Sequence, residues 1–197
     1  MDIISRGFTG RRDPDAHRLP PGQYRTMQFP VLSAGHTPRI DESEWRLTVA
    51  SAGGAEASWT WSEFLALPQE DVETDIHCVT GWSKFGTGWR GVSLDTLLAA
   101  VPVDGAYLMA TSYGGYTTNM PVAEVTGGRA WVAHEYDGAA LEPSHGGPAR
   151  LLVPHLYFWK SAKWIAHLRL MTEDRPGFWE DNGYHMHGDP WTEERYW

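Results

Sequence analysis

The sequence predicts a single mixed α+β domain that is rich in β-strands. At 197 residues the chain is long enough for one sizeable domain and too short for two domains of that size. Hydrophobic residues make up 42% and charged residues 21%, which is ordinary for a soluble globular protein. Many short segments of alternating character, with a few short helical patterns, favour an α+β architecture.

The first 44 residues differ in composition from the rest. They are rich in Pro, Gly, Arg and Asp, and their prolines forbid a long helix. We therefore expect an irregular N-terminal arm over 1–44, with an extended piece at 28–32, that wraps a domain formed by 45–197.

Within the domain, the elements follow from local pattern. Strands are predicted at 45–50, 58–61, 72–79, 107–111, 130–136, 151–154 and 164–170, with 117–120 as a hairpin arm or a loop. A short helix is predicted at 63–67, with Ser62 as its N-cap, and a second at 95–101, capped by Ser93. The region 121–125 is predicted to be a helical turn. Three glycines and no periodicity predict a loop over 80–90, and the tail 178–197 is predicted to be irregular.

The charge balance limits the choice of partners. The net charge is −9 and the sequence pI is about 5.4, so we expect neither nucleic acid nor an anionic membrane as partner. No apolar run reaches the roughly 20 residues of a membrane-spanning helix. The twin arginine Arg11-Arg12 precedes a polar stretch rather than an apolar one, so we expect no export signal and a cytoplasmic location.

Cys78 is the sole cysteine of the chain. One thiol forms neither an internal disulfide nor a four-cysteine metal site. It is an inert buried residue, a catalytic nucleophile, or a single soft ligand to a metal that is held mostly by something else.

A cluster of glycines and cations in the second half of the chain favours the third role. Gly146 and Gly147 precede Arg150, and Lys160 and Lys163 follow closely. Glycines allow close backbone approach, and exposed N–H groups with Arg and Lys make an anion cradle. A thiolate and an anion cradle suit a ligand that is anionic at one end and presents a soft metal at the other. The nine histidines show no spacing that defines a zinc site.

With these features the sequence resembles a known family, the molybdenum-cofactor domain of sulfite oxidases, assimilatory nitrate reductases and bacterial molybdopterin-dependent sulfoxide reductases. Its short bacterial members, the sulfite-oxidase-like oxidoreductases, are the most similar. The segments that carry the resemblance are 18–23 (RLPPGQ), 30–32 (PVL), 77–83 (HCVTGWS), 89–92 (WRGV), 141–150 (LEPSHGGPAR), 163–164 (KW), 183–185 (GYH) and 189–191 (DPW). Each is weak alone, but in this order and spacing they are strong together.

The resemblance implies a molybdenum–molybdopterin cofactor, oxygen-atom transfer, and a fold of the sulfite oxidase molybdopterin-binding type. By position, Cys78 is the thiolate ligand to molybdenum, and His145 and Arg150 match pterin- and phosphate-contacting positions. Ser161, Ala162 and Lys163 match a grip on the same cofactor. Ser112, or alternatively Thr111, matches a hydroxyl that contacts the pterin, and Gln23 or His36 of the arm is a further candidate.

The chain departs from sulfite oxidase just after Cys78. The paired arginines of that enzyme are absent, and the stretch offers instead Trp82, Lys84, Phe85, Trp89 and Arg90. This argues against sulfite as the substrate. Lys84 and Arg90 are candidates for steering an oxyanion, whereas an aromatic mouth suits a small, less charged substrate such as a sulfoxide or an N-oxide.

Two other functions remain open on the residues alone. One is a cysteine hydrolase or transferase, but His77 is adjacent to Cys78 and on a strand would point to the opposite face. The other is a non-catalytic module that binds a pterin or a partner protein. The sequence shows no flavin, haem or cluster motif, so an oxidoreductase of this kind would need a separate electron-transfer protein, a flavoprotein, a ferredoxin or a cytochrome.

Overall fold

The computed structural model describes residues 15–33 and 35–197, which form two mixed β-sheets and a few short helices. The first sheet contains β1 (Tyr24–Arg25), β4 (Glu70–His77), β5 (Trp82–Ser93), β8 (Trp131–Tyr136), β9 (Ala139–Ala140) and β10 (Arg150–Leu152). The second contains β2 (Arg46–Ala50), β3 (Glu56–Thr60), β6 (Tyr107–Ser112), β7 (Thr117–Pro121) and β11 (Ile165–Met171). This mixed, strand-rich arrangement confirms the predicted fold class.

The helices are short. They are α1 (Trp61–Leu65), α2 (Leu94–Leu98) and α3 (Phe178–Asp181), with 3-10 turns at Ala16–Arg18, Val122–Glu124, Pro143–His145 and Phe158–Lys160. None of the helices in the described ranges has the length and hydrophobicity needed to cross a lipid bilayer.

Strand β5 organises the first sheet. It pairs with β1 in parallel and with β4 and β8 antiparallel, and β8 in turn pairs with β9 and β10. The second sheet has the order β3-β2-β11-β6-β7, in which only β2 and β11 run parallel. Because β5 and β4 form a hairpin, the chain between them is brought to one end of the sheet.

The main core lies between the two sheets. Leu47, Val49, Leu108 and Leu168 of the second sheet pack with Val132 of the first in one buried cluster. The alternation of buried and exposed residues along β11 follows the period-2 rule that predicted this strand. A second buried cluster surrounds Cys78 and consists largely of aromatic residues.

The predicted loop over 80–90 is wrong. Residues 82–90 belong to β5, which begins at Trp82, and the turn after Cys78 is only 79–81. The ladder between β4 and β5 shifts register between Thr74 and Ile76, opposite Gly86, whose φ of +59° favours glycine. The glycine thus marks an irregularity inside a strand, a β-bulge signal rather than a loop signal.

The predicted cap of α1 is also wrong. The N-cap is Thr60, which forms a capping box with Glu63: the Thr60 hydroxyl accepts from Glu63 N–H, and the Glu63 carboxylate accepts from Thr60 N–H. The predicted cap of α2 is confirmed, because Ser93 Oγ accepts from Asp95 N–H at 3.2 Å.

In the described part of the arm, β1 is the one strand and the 3-10 turn Ala16–Arg18 the one helical piece. The expected extended piece at 28–32 forms no strand. Phe29 instead stacks on the His145 ring, with centroids 4.0 Å apart, so this part of the arm is held by side-chain packing. Arg11-Arg12 lie outside the described residues.

Candidate functional site

A cavity of about 380 Å³ opens beside Cys78. It is bounded by the arm, the β4–β5 turn, the end of β6, and the segments around Arg150 and Lys163. The cavity brings together six residues that the sequence singled out: Cys78, Ser112, Arg150, Ser161, Ala162 and Lys163. His36 of the arm also lines it, whereas Gln23 donates to the Cys78 carbonyl at 3.1 Å from outside the cavity wall.

Cys78 follows the last residue of β4 and begins a tight turn. Its N–H donates to the Trp82 carbonyl at 2.8 Å, and its carbonyl accepts from Gly81 N–H at 3.0 Å. Gly81 has φ +102°, which an L side chain would strain. The main-chain bonds fix the thiol at the cavity, where 7% of Cys78 is exposed.

The environment of the Cys78 thiol does not favour a free nucleophile. Burial raises the pKa of Cys78, although a 3.2 Å hydrogen bond from the Thr80 hydroxyl and the charge of Arg195 act in the opposite direction. A buried thiol of this kind stays protonated until a metal displaces the proton.

His77 does not pair with Cys78. Its Nδ1 lies 2.8 Å from Ser83 Oγ, and burial lowers its pKa to about 4, with Asp75 acting weakly against this. Because a cysteine hydrolase needs a histidine that takes the proton of its thiol, this geometry does not favour that chemistry.

Arg150 is a buried cation. It is 1% exposed, and its guanidinium donates to the carbonyls of His145 at 2.8 Å and Ser161 at 2.7 Å. Burial lowers its pKa to about 9, so it remains charged at neutral pH. Within the described ranges, no carboxylate forms an ion pair with it.

Lys163 is the second cation of the cavity wall. Its ammonium donates to the carbonyls of Leu32 at 2.9 Å and Ser144 at 2.6 Å, and to Ser33 Oγ at 3.0 Å. Burial and the nearby charge of Arg150 lower its pKa to about 8. No ion pair with a carboxylate is found for Lys163 in the described part of the chain either.

Two crossing segments bring these cations together. Gly146 has φ +110°, and a Cβ placed on it would lie 3.0 Å from the Cβ atoms of both Arg150 and Lys163. Glycine therefore lets the chain at 145–150 cross 161–164. The Ser112 hydroxyl donates to the Lys163 carbonyl at 2.5 Å, and Ala162 and Lys163 have backbone N–H groups without a partner in the described chain.

Lys160 differs from these two cations. Its ammonium lies 2.6 Å from Glu180 Oε1, both side chains are fully buried, and it also donates to the carbonyls of Asn119 and Met186. Lys160 is therefore neutralised within the fold, and it does not line the cavity.

The remaining predicted residues lie elsewhere. Lys84 and Arg90 lie on β5 outside the cavity, and Arg90 forms an ion pair with Asp71 at 2.8 Å. His145 stands behind the wall, where its Nε2 donates to the Phe29 carbonyl at 3.1 Å. Thr111, the alternative to Ser112, does not line this cavity.

Sequence reasoning missed Arg195, which donates to the Val79 carbonyl and whose charge acts on Cys78. It lies 117 residues after Cys78, and no motif marked it. The aromatic walls Trp159, Trp179 and Tyr184 were also not assigned to the site.

The donor set fits a metal-bearing anionic cofactor. In residues 15–33 and 35–197, no three His, Cys, Asp or Glu side chains come together as a metal site. A metal at Cys78 would thus take most of its ligands from a cofactor. The buried Arg150 and the half-buried Lys163 have no carboxylate partner among the described residues, and with two backbone N–H groups that have no partner there they suit the anionic end of such a cofactor.

Comparison with known proteins also indicates a cofactor that bears a metal. Residues 34–179 match the family model of the oxidoreductase molybdopterin binding domain. The chain belongs to this family of molybdopterin-dependent oxidoreductases, and its cofactor is a molybdopterin.

Among its relatives, the uncharacterized oxidoreductase YuiH of Bacillus subtilis (strain 168) is 38% identical over 189 residues, which cover 94% of this chain and 96% of the relative. A putative protein-methionine-sulfoxide reductase subunit, YedZ1 of Azospira oryzae, is 32% identical over 151 residues, with 76% of this chain and 57% of the relative covered. The sulfane dehydrogenase SoxCD from Paracoccus pantotrophus shares the fold with a TM-score of 0.63 and 17% identity, over 88% of this chain and 56% of that chain.

Proposed function

We propose that this protein is a molybdenum–molybdopterin oxidoreductase that transfers an oxygen atom to or from a small, uncharged substrate, with the Cys78 thiolate as protein ligand to the metal. One observation supports this above all. The buried Arg150 and the half-buried Lys163, which have no carboxylate partner in the described chain, line the same cavity as the sole thiol. Withdrawing a cation from water without a carboxylate beside it costs free energy, which an anionic ligand would offset.

Each wall of the cavity has its own part in holding the cofactor. Arg150, Lys163 and the free N–H groups of Ala162 and Lys163 bind the phosphate end. Ser112 and His145 act indirectly, since Ser112 fixes the Lys163 carbonyl and His145 fixes the arm through Phe29. When bound, the cofactor supplies two-electron oxygen-atom exchange at molybdenum, while the protein positions it and limits access.

The walls near the thiol favour an uncharged substrate. The lining residues Trp82, Trp159, Trp179 and Tyr184 are aromatic, and the two cations of the cavity are taken by the cofactor's phosphate. A sulfoxide or an N-oxide fits such a mouth. In net terms a sulfoxide takes up two electrons and two protons and yields a sulfide and water.

The electrons come from a separate carrier protein, which we take to be a flavoprotein, a ferredoxin or a cytochrome. The Azospira relative is named as a subunit of a reductase, which supports a function in concert with a partner. Reduced carrier with this protein and a sulfoxide should form sulfide, and neither protein alone should do so. Sulfide formation from NADPH by this chain alone would contradict the need for a carrier.

Metal analysis of protein from a cofactor-competent host tests the cofactor assignment. We expect about one molybdenum per chain and a sulfur-to-metal charge-transfer absorption that disappears in Cys78→Ser. Lys163→Met should lower the molybdenum content, whereas Lys84→Met, which removes the same charge outside the cavity, should not. Equal molybdenum and unchanged absorption in wild type and Cys78→Ser would overturn the assigned thiolate.

A single-turnover experiment distinguishes an enzyme from a binding module. Protein reduced by dithionite and freed of reductant should convert about one equivalent of methyl phenyl sulfoxide to the sulfide. If the reduced, cofactor-loaded protein is re-oxidised by neither a sulfoxide nor an N-oxide, the protein acts on a different substrate class or is a non-catalytic module.

A further inference from the structure

The segment 183–197 forms one side of the cavity beside Cys78. Its Tyr184 lines the cavity, and its Arg195 donates to the Val79 carbonyl, in the turn that follows the thiol. All of this segment is described, and it contains no helix and no strand of either sheet. The wall that it forms is therefore held by individual contacts with the rest of the domain.

His187 links this segment to the rest of the domain. Its Nδ1 lies 2.8 Å from Glu194 Oε2, within the segment. Its Nε2 lies 3.4 Å from Glu124 Oε1, at the end of the 3-10 turn Val122–Glu124. Both ring nitrogens are thus within ion-pair distance of a carboxylate, one on the segment and one on the domain.

These two contacts need two ring protons. A neutral imidazole has one N–H and one lone pair, so it can donate to one carboxylate and turns its lone pair toward the other. The imidazolium has an N–H for each of them. The strength of the link between the segment and the domain therefore depends on the charge of His187, and histidine rings change charge between about pH 5 and about pH 8.

Both carboxyl groups are ionised over that range of pH. Burial raises the pKa of Glu194, but a hydrogen bond from the Asp189 N–H and contacts with His187 outweigh burial and hold the pKa below its ordinary value. The partners of Glu124 do the same for the pKa of that carboxyl group. Protonation of His187 is therefore the step that changes the link.

The neighbouring histidines do not have this arrangement. His155 Nε2 lies 2.8 Å from Glu124 Oε2, and burial lowers the pKa of His155, so a neutral ring with one N–H is sufficient there. His185 Nδ1 accepts the backbone N–H groups of His187 and Gly188, both at 3.2 Å, so a proton on this nitrogen would break both hydrogen bonds.

The other charged groups nearby keep their charge as His187 titrates. The ammonium of Lys160 donates to the Met186 carbonyl and is neutralised by Glu180. The charged and titratable side chains next to His187 and its two carboxylates are His155 and Arg129 at Glu124, and His185 at Glu194.

We propose that His187 is a proton-operated clasp, which holds the segment 183–197, and with it the cavity wall at Tyr184, more firmly when its ring is doubly protonated. As the pH rises and the second proton leaves, the N–H that remains serves the nearer carboxylate, Glu194, and the tie to Glu124 is lost. Other contacts stay, such as the 2.8 Å class of main-chain hydrogen bonds to which Tyr157 N–H to the Gly188 carbonyl, at 2.7 Å, belongs, so the segment loosens without detaching. The clasp goes beyond the function proposed above and does not rest on it, because it concerns the wall of the cavity and not what reacts there.

Hydrogen–deuterium exchange of the full chain tests the clasp. Protection factors, which correct for the intrinsic effect of pH on exchange, are measured for peptides within 183–197 at about pH 5.5 and about pH 8. The variant is His187→Gln, which keeps a side-chain donor and does not titrate. The matched control is His167→Gln, which removes an exposed histidine that has no ion pair in the described chain.

We expect the wild-type segment to be roughly three- to tenfold better protected at the lower pH. His167→Gln should keep this difference and His187→Gln should lose it. Glu124→Gln, which removes the carboxylate on the side of the domain, should also lose it, and this variant decides the question if His187→Gln does not fold.

The remaining outcomes all count against the clasp. Equal protection of the wild-type segment at the two pH values overturns it. A pH difference that persists in His187→Gln or in Glu124→Gln shows that another group is responsible, and a difference that is lost in His167→Gln as well shows a general effect of histidine titration on the fold. No turnover is measured, so failure of the proposed oxygen-atom transfer would leave this result unaffected.

Discussion

Replacement of Arg150 by methionine should have little effect on the cofactor-free fold. Burial lowers the pKa of Arg150 well below its ordinary value, to about 9. At about 1.4 kcal/mol for each unit of pKa, this is a desolvation cost of about 5 kcal/mol that methionine avoids. The change also removes two charged hydrogen bonds, to the carbonyls of His145 and Ser161, worth about 1.5–3 kcal/mol each. Because these effects oppose each other, we expect the free energy of unfolding to change by less than about 2 kcal/mol.

The matched variant is Lys160→Met, which removes the other buried cation. Here the loss leaves the fully buried Glu180 carboxyl group without its cationic partner. Breaking a buried pair in this way costs about 3–5 kcal/mol. At about 2–4 °C for each kcal/mol in a domain of this size, the melting temperature should fall by about 6–20 °C.

Urea unfolding of cofactor-free protein measures both variants, and metal analysis of loaded protein measures the cofactor. Arg150→Met should bring the molybdenum content far below that of wild type although its fold is stable. If instead cofactor-free Arg150→Met were as destabilised as Lys160→Met, Arg150 would be a residue of the fold, and the argument from uncompensated charge would be refuted.

Further predictions concern acid stability, strand packing and the thiol. Burial raises the pKa of Glu124, but a hydrogen bond from His155 and nearby positive charge outweigh burial and hold the pKa below its ordinary value. The contribution of the Glu124 carboxylate to stability is therefore full above about pH 4.5 and is lost as the pH falls further. Glu124→Gln should therefore remove part of the loss of stability that urea unfolding shows between neutral and acidic pH, and an unchanged acid slope would contradict this. Gly91→Ala should lower the free energy of unfolding by about 3 kcal/mol or more, since a Cβ there would lie 2.2 Å from the Val132 carbonyl oxygen. If the variant unfolds at the wild-type urea midpoint, the fold relieves this contact at no cost and the prediction is wrong. Thr80→Val should raise the pKa of the Cys78 thiol further, because it removes the hydrogen bond from the Thr80 hydroxyl. In cofactor-free protein at mildly alkaline pH, iodoacetamide should then alkylate the thiol more slowly. An unchanged rate would mean that the Thr80 hydroxyl does not act on the sulfur.

Local pattern was sufficient for most of the strands. Burial alternates along β2, β6 and β11, whereas β10 and the first four residues of β8 are continuous buried runs. It failed over 80–90, where glycines interrupt the alternation although the chain from Ser83 onward pairs with β4 and, at the two ends of β5, also with β1 and β8. The Thr60–Glu63 capping box was readable from its spacing, and a cap search that weighed Thr60 against Ser62 would have found it.

The candidate site divides in a similar way. The close approach of Gly146 to Lys163 is seen only in the fold. The motif around Cys78 and the grouping of Gly146, Gly147 and Arg150 follow from residues that are close together in the sequence. The difference in charge neutralisation between Lys160 and Lys163 does not follow from such residues. It depends on whether a carboxylate from a distant segment lies beside the lysine, as Glu180 does beside Lys160.

The partners of Arg150 have a consequence for mutagenesis. Its guanidinium bonds within the described chain all end on peptide oxygens, of His145, Leu151 and Ser161. Exchange of those three side chains leaves the oxygens in place, so an alanine scan would pass over the environment that orients this cation. The charge at this point of the cavity is thus specified by the path of the backbone, and neighbouring positions are free to vary without moving it.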